Sequence, residues 1–152
     1  MDNLQQEILR IFGEFKTPVN GILNPQSLQS RIRNWDRRSQ DNSVQALNEL
    51  ISNGYVGTKE NWFTLTQRGY DFLNQDLSIE DTENIILDFL RNRNLGVGHV
   101  IMENWFINLT TKLERFHFDN FNKALQNIIA KGFIEVRNNG LFLTQEGYDK
   151  LY

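Results

Sequence analysis

The sequence contains one stretch of 28 residues twice, and this internal repeat constrains the fold more than any other feature. Residues 46–73 and 124–151 align without a gap at an offset of 78 positions. Twelve of the 28 aligned positions are identical, where unrelated sequences would share about two. In the first copy these positions are Ala46, Leu47, Ile51, Gly54, Asn61, Leu65, Thr66, Gln67, Gly69, Tyr70, Asp71 and Leu73. The repeat predicts two units of one fold, residues 1–76 and 77–152, joined by a linker around residues 74–78.

The amino-acid composition is that of a globular protein, and the net charge restricts the kinds of partner that the chain can bind. Of the 152 residues, 39% are apolar and 23% are charged, which is typical of a soluble domain. The net charge is −3, so the chain lacks the overall positive field that drives nonspecific binding to phosphates. It has no apolar run long enough to span a membrane and no secretory signal at its polar N-terminus. These features predict a cytoplasmic protein without a membrane partner.

Hydrophobic periodicity gives the same order of elements in both units. An amphipathic helix comes first, capped in the second unit by Ser78 and Asp81. A loop or very short strand and a second helix follow, and Asn24-Pro25 matches the cap and first position of that helix. The third helix is predicted to begin at the Asp-Asn pairs 41–42 and 119–120, because aspartate is a strong N-cap. A hairpin and a short last helix complete each unit.

The third helix and the hairpin carry the most specific patterns. The buried stripe predicted for the third helix is Val44, Leu47, Leu50 and Ile51 in the first unit, and Phe121, Leu125, Ile128 and Ile129 in the second. Gly54 and Gly132 then supply a left-handed end to the helix. In the second hairpin, Asn139-Gly140 is a strong signal for a tight turn.

This order resembles the winged helix-turn-helix fold. One stretch of each unit is similar to the third helix and wing of small bacterial winged-helix transcriptional regulators. It reads Ala-Leu-x-x-Leu/Ile-Ile-x-x-Gly, then an aromatic-aliphatic strand, then Leu-Thr-x-x-Gly-Tyr. The resemblance covers nearly the whole chain. It implies an α+β, mainly helical protein made of two tandem winged-helix domains, and it implies double-stranded DNA as the partner.

Local clusters of basic residues would have to hold the DNA backbone. Four arginines surround Trp35, and arginine suits bidentate contacts to phosphate; they are Arg31, Arg33, Arg37 and Arg38. Arg115 aligns with Arg37 in the second unit. The equally weighted alternative is a solvated helix face with Trp35 in the core.

Base contacts are expected from the exposed face of each third helix. In the first unit Gln45 and Asn48 could read adenine edges, although Glu49 beside them would approach phosphates unfavourably. In the second unit the matching candidates are Lys123, Gln126 and Asn127. At the hairpin tips, Lys59 and Arg137 would reach the backbone or the minor groove. An ordinary polar helix surface explains the residues of the two helices at least as well, and a surface turn with one charge explains the hairpin residues nearly as well.

A second hypothesis is a protein-interaction module. The second unit is unusually aromatic before and within its third helix, and one or two of these side chains are expected at an interface. Trp105, Phe116 and Phe118 are the candidates for contact with a protein partner or a second copy of the chain. The acidic isoelectric point, about 5.4, favours this alternative.

Enzyme is the class of function that the sequence supports least. The chain has only two histidines, His99 and His117, and no cysteine. A zinc site and a nucleophile activated by a base in the first unit are therefore improbable. The sequence predicts no catalytic residue, no metal and no cofactor.

Overall fold

The computed structural model describes residues 1–152, which divide into two compact units, Met1–Gln75 and Asp76–Tyr152. The protein is α+β, with eight helices and two three-stranded antiparallel sheets. None of the helices combines the length and the apolar character needed to cross a bilayer.

The two units contain the same elements in the same order. Those of the first unit are α1 (Asn3–Glu14), β1 (Ile22–Leu23), α2 (Pro25–Ile32), α3 (Arg37–Ser52), β2 (Val56–Lys59), β3 (Trp62–Leu65) and α4 (Gln67–Leu73). Those of the second are α5 (Ile79–Arg91), β4 (Val100–Ile101), α6 (Glu103–Thr110), α7 (Arg115–Ala130), β5 (Ile134–Arg137), β6 (Gly140–Leu143) and α8 (Gln145–Leu151). From β1 onward, every element begins and ends 78 positions before its counterpart.

Each sheet places the last strand of the unit in its centre. The strand orders are β1-β3-β2 and β4-β6-β5, and the registers correspond, with Leu23 opposite Phe63 and Ile101 opposite Leu141. The second hairpin turns at Asn138 and Asn139, whose φ values are 49° and 60°. Two consecutive left-handed residues define a type I′ turn. The turn therefore lies one residue earlier than the predicted Asn139-Gly140, and Gly140 opens β6.

The predicted caps of the first and second helices are confirmed. Ser78 and Asp81 form a reciprocal capping box at the start of α5, and the Asn24 side chain accepts the backbone N–H of Gln26, 2.8 Å away, at the start of α2. Each cap satisfies N–H groups that have no partner within the helix. These local signals therefore fix where α2 and α5 begin.

The predicted start of the third helix is wrong in both units. Asp36 caps α3 by accepting the backbone N–H of Ser39 at 3.1 Å, and its second carboxylate oxygen accepts the Ser39 hydroxyl at 2.7 Å. These hydrogen bonds, led by that from the hydroxyl, hold the pKa of the Asp36 carboxyl below its usual value. Asp41 and Asp119 lie inside the helices, one turn after Arg37 and Arg115, with which they form ion pairs.

Each unit has its own apolar core. The side chains that are almost fully buried in the first core are Ile8, Leu9, Phe12, Leu50, Val56 and Leu65, and those in the second are Ile86, Leu90, Ala124, Ile128, Ile134 and Leu143. The prediction that Val44 belongs to the buried stripe is wrong, because 68% of it is exposed. Ser43 and Ala46 are buried on α3 in its place.

Three of the identical residues of the repeat, Gly54, Thr66 and Gly69, meet in one hydrogen-bonded junction. Gly54 ends the turn after α3 with a φ of 76°, a conformation that favours glycine. The Thr66 hydroxyl donates to the Gly54 carbonyl at 2.7 Å and accepts the backbone N–H of Gly69 at 3.1 Å. A Cβ on Gly69 would overlap the Tyr55 carbonyl oxygen. The corresponding residues of the second unit, Gly132, Thr144, Gly147 and Phe133, repeat this arrangement.

A buried histidine joins α7 to α5. The Nδ1 atom of His117 lies 2.8 Å from the Thr82 hydroxyl oxygen, and both residues are buried. Burial lowers the pKa of His117 below its ordinary value of 6.5, and Asp81 and Glu114 oppose the shift. The folded protein therefore holds this imidazole neutral at pH values where the unfolded chain protonates it.

This difference predicts a loss of stability in mild acid. Above the unfolded pKa of about 6.5 both states are neutral, so His117 gives no pH dependence. As the pH falls through 6.5 only the unfolded chain gains the proton, and the free energy of unfolding decreases. Urea titrations at pH 7.5 and 5.5 should give a smaller decrease for His117→Gln than for the unmodified protein. Equal decreases would show that His117 does not cause the effect.

Candidate nucleic-acid interface

The four arginines around Trp35 belong to different elements. Arg31 lies on α2, where its guanidinium stacks over the Phe15 ring and pairs with Glu14 at 2.8 Å. Arg33 is the C-cap of α2 and is exposed. Arg37 and Arg38 form the first turn of α3, and Arg37 pairs with Asp41 at 3.1 Å. The guanidinium groups of Arg33 and Arg38 have no hydrogen-bond or ion-pair partner, so these two are the free cations of the cluster.

The exposed face of α3 uses most of its polar groups internally. The Gln45 amide donates to Glu49 at 3.0 Å, and the Gln5 amide of α1 donates to the other oxygen of Glu49. Glu49 is thus held by two amide groups, one of them on α1, which the sequence pattern did not suggest. The side chain of Asn48 is exposed and has no such bond. Among the predicted base readers of this unit, only Asn48 is available to a ligand.

The exposed face of α7 differs at the matching positions. Lys123 and Gln126 replace Gln45 and Asn48, and both are exposed without an internal hydrogen bond or ion pair. Asn127 is half-buried and replaces Glu49, so the acidic group of the first unit has become an amide. The second unit therefore presents a helix face that has donors and a positive charge to offer.

The hairpins and the start of α7 add three predicted phosphate ligands. Lys59 is exposed at the end of β2. Arg137 is exposed at the end of β5, with its guanidinium 4.4 Å from the centre of the Phe142 ring and 3.9 Å from the Glu135 carboxylate. Arg115 instead pairs with Asp119 at 2.9 Å and stacks over Phe118 at 5.0 Å. Lys59 and Arg137 are thus accessible, whereas Arg115 is engaged within α7.

The aromatic residues of the second unit are only partly exposed. Phe118 is 48% exposed on α7, while Trp105 and Phe116 are half-buried. Trp105 lies beneath the guanidinium of Arg93, and Phe116 packs edge-on against His117. The largest exposure of an apolar side chain nearby is that of Ile107 on α6, 64%. Ile107 was not among the interface residues predicted from the sequence.

Two cations of the second unit had no place among the predicted site residues. Arg93 follows α5 and Lys112 follows α6, and both are exposed. The repeat offset aligns them with Phe15 and Asn34, so each is a charge gained relative to the first unit. These two residues could have been found from the sequence by asking which positions gain a charge when the second copy is aligned with the first.

No three histidine, aspartate or glutamate side chains are grouped so that they could hold a metal ion. Comparisons with family models, with curated proteins and with solved structures give no match to this chain.

Proposed function

We propose that both units are winged-helix domains and that the protein binds double-stranded DNA, with the second unit as the principal reader. In each unit the second and third helices precede a hairpin that belongs to a three-stranded sheet, which is the order of helix-turn-helix and wing. On this proposal α3 and α7 are the recognition helices and the β2-β3 and β5-β6 hairpins are the wings.

The observation that carries the proposal is the difference between α7 and α3 at paired positions. Lys123 and Gln126 have side-chain donors that no group in the protein uses, whereas Gln45 of the first unit is bonded to Glu49. Lysine can donate to guanine and glutamine to adenine in the major groove. A helix that enters the groove must have such donors free, and α7 meets this requirement better than α3.

Backbone contacts would come from the accessible cations. Arg137 at the tip of the second hairpin and Lys59 at the tip of the first occupy the wing positions, and Arg33 and Arg38 flank the start of α3. Each phosphate contact releases bound counterions and adds about 0.9 to the slope of log affinity against log salt. With a net charge of −3, the protein would depend on these few local contacts, and binding would be strongest at low salt.

The test is fluorescence anisotropy of a labelled duplex library at low salt. Replacing both Lys123 and Gln126 with alanine should weaken binding by about tenfold or more, since each base contact contributes about 1–3 kcal/mol. The matched control is the Gln45→Ala, Asn48→Ala double variant, which alters the same positions of α3 and should have a smaller effect. Separately, Arg137→Ala should lower the salt slope by about one contact.

Two results would contradict the proposal. The first is the absence of any anisotropy change with the unmodified protein at low salt. The second is an equal loss of affinity in the α7 and α3 double variants, which would remove the distinction between the two helices.

A second candidate function, a protein-interaction module, is favoured by one specific observation. Ile107 and Phe118 are 64% and 48% exposed on α6 and α7, and exposed apolar side chains of this size are typical of interface cores. A protein that leaves the duplexes unbound in the anisotropy assay, and that in analytical ultracentrifugation sediments above its monomer mass of 17.9 kDa, would support this candidate.

A further inference from the structure

A cavity of about 310 Å³ opens in the second unit beside the C-terminal ends of α5 and α6. It is lined by Phe89, Arg93, Asn108, Leu109, Thr111 and Lys112. Two of these residues are cationic and none is acidic, in a protein whose net charge is −3. This volume is at the lower end of the range for small-molecule sites.

The guanidinium of Arg93 lies over two aromatic rings. Its central carbon lies 4.8 Å from the centre of the Phe89 ring and 4.7 Å from that of the Trp105 ring. Stacking of this kind uses the face of the guanidinium and leaves its N–H edges free. The backbone N–H of Arg93 donates to the Leu90 carbonyl at 3.0 Å, but its guanidinium has no carboxylate partner and donates to no protein carbonyl. The rings therefore orient a cation whose five donors are unused.

The other lining groups complete a site with a polar and an apolar side. The Lys112 ammonium has no ion-pair partner, and the Asn108 amide makes no hydrogen bond within the protein. The Thr111 hydroxyl donates to the Asn108 carbonyl at 2.8 Å and keeps its lone pairs for a further donor. Phe89 and Leu109 supply apolar wall, and Leu109 is only half-buried. The cavity thus combines two unpaired cations with uncharged surface.

The first unit has no equivalent of this site. The repeat offset places Phe15 at the position of Arg93 and Arg31 at the position of Leu109, so the first unit has a ring where the second has its cation and a cation where the second has apolar wall. There too a guanidinium stacks on a ring, with Arg31 5.1 Å from the centre of Phe15, but Glu14 neutralises it at 2.8 Å. Arg68 of the first unit also stacks on a ring, that of Tyr55, but its guanidinium donates to the Asn53 carbonyl. A stacked arginine with neither an ion-pair nor a hydrogen-bond partner is therefore not required by the fold.

From these features we infer that the cavity binds a small organic carboxylate with an apolar body. The carboxylate would receive paired N–H donors from Arg93, because a fixed guanidinium fork matches the two oxygens of a carboxylate. Lys112 would add a second positive charge, and the apolar body would lie against Phe89 and Leu109. This site is distinct in its residues from those proposed for DNA, and it would stand if DNA binding failed.

Benzoate is a suitable probe because it combines a carboxylate with a flat apolar ring. Titration of the full-length, isotope-labelled protein with benzoate, followed by assigned amide NMR spectra, should give saturable shifts at Leu109, Thr111 and Lys112. Benzamide has the same shape without the charge and should bind at least about tenfold more weakly, since the charge-assisted bonds are lost. Shifts that do not saturate, or equal shifts with benzamide, would overturn the inference.

Variants separate this site from general attraction of anions. Arg93→Gln should weaken benzoate binding about tenfold or more, and Arg93→Lys should recover only part of the loss because it restores the charge without the planar fork. Arg31→Gln is the matched control, because Arg31 also stacks on a ring but is already paired with Glu14. This variant should leave the benzoate affinity unchanged. Preserved dispersion of the amide spectra establishes that each variant is folded, and an equal loss in Arg31→Gln would contradict the site.

Two further arms identify the source of the anion. Inorganic phosphate that shifts the same amides with higher affinity than benzoate would overturn the assignment to a carboxylate. If the Arg93→Gln variant loses as much affinity for duplex DNA as it does for benzoate, Arg93 contacts the DNA backbone and the inference is overturned. A variant with lost benzoate binding and unchanged DNA binding supports it.

Discussion

Gly147→Ala is expected to destabilise the second unit by about 3 kcal/mol, the upper part of the range for inserting an atom into packed structure. The added Cβ would overlap the Phe133 carbonyl oxygen and lie 2.9 Å from its carbonyl carbon. Backbone cannot move aside as the end of a flexible side chain can. For a domain of this size the melting temperature should fall by roughly 12–24 °C. Differential scanning calorimetry of the full chain measures it.

The chain offers a matched control for this substitution. Gly13 lies near the end of α1, and a Cβ there would meet nothing within 4 Å. Gly13→Ala should therefore be neutral or stabilise by up to about 1 kcal/mol, because alanine is the better helix former. Gly69→Ala should act like Gly147→Ala, since its Cβ would overlap the Tyr55 carbonyl oxygen. A tolerated Gly147→Ala would mean that α8 can move away from the β5 strand without cost.

Phe12→Ala should be the most damaging single truncation in the first unit, with an expected loss of about 3–5 kcal/mol. Phe12 has no exposed surface and is the largest fully buried side chain of the protein. Its removal combines the lost transfer free energy of the ring with an unfilled cavity. A unit of this size has a total stability of roughly 4–11 kcal/mol, so much of its margin would be lost.

Phe15→Ala gives the comparison for Phe12→Ala, with the same chemical change three residues later. Phe15 is 40% exposed and has Arg31 stacked on its ring. Its truncation should cost well under half as much as that of Phe12 in chemical denaturation. Equal losses would imply that the burial of Phe12 does not govern the stability of the first unit.

Local sequence signals predicted much of the architecture. The repeat, the Asn24-Pro25 start, the Ser78 capping box and the left-handed glycines gave the elements and their order, because each of these signals acts within a few residues. The failures have the same cause. Aspartate caps a helix or pairs with an arginine one turn away, and the sequence alone did not distinguish Asp36 from Asp41 as the cap. Val44 was assigned to the core because it is apolar and lies three residues before Leu47, but it falls on the solvent side of a buried stripe formed by Ser43, Ala46 and Leu50.

The candidate site was predictable only as a set of residue types. Which side chains remain free depends on partners that are distant in sequence, such as Gln5 for Glu49 and Glu14 for Arg31. Arg37 and Arg38 are adjacent arginines, yet only Arg37 forms an ion pair with Asp41. The cavity at Arg93 brings together the ends of two helices, and no spacing within one segment indicates it. Only the hydrogen bonds and ion pairs of the folded chain distinguish the side chains that are available to a ligand from those that already have a partner.

The constant offset between the units has a consequence for how the two copies have diverged. Surface loops ordinarily tolerate insertions and deletions better than helices or strands do. Here every loop after the first strand has the same length in both copies, so the copies differ from that strand onward by side-chain replacement alone. Any contrast in activity within this part of the units must therefore be traceable to individual paired positions. Exchanging such positions one at a time, with the backbone held constant, can identify them.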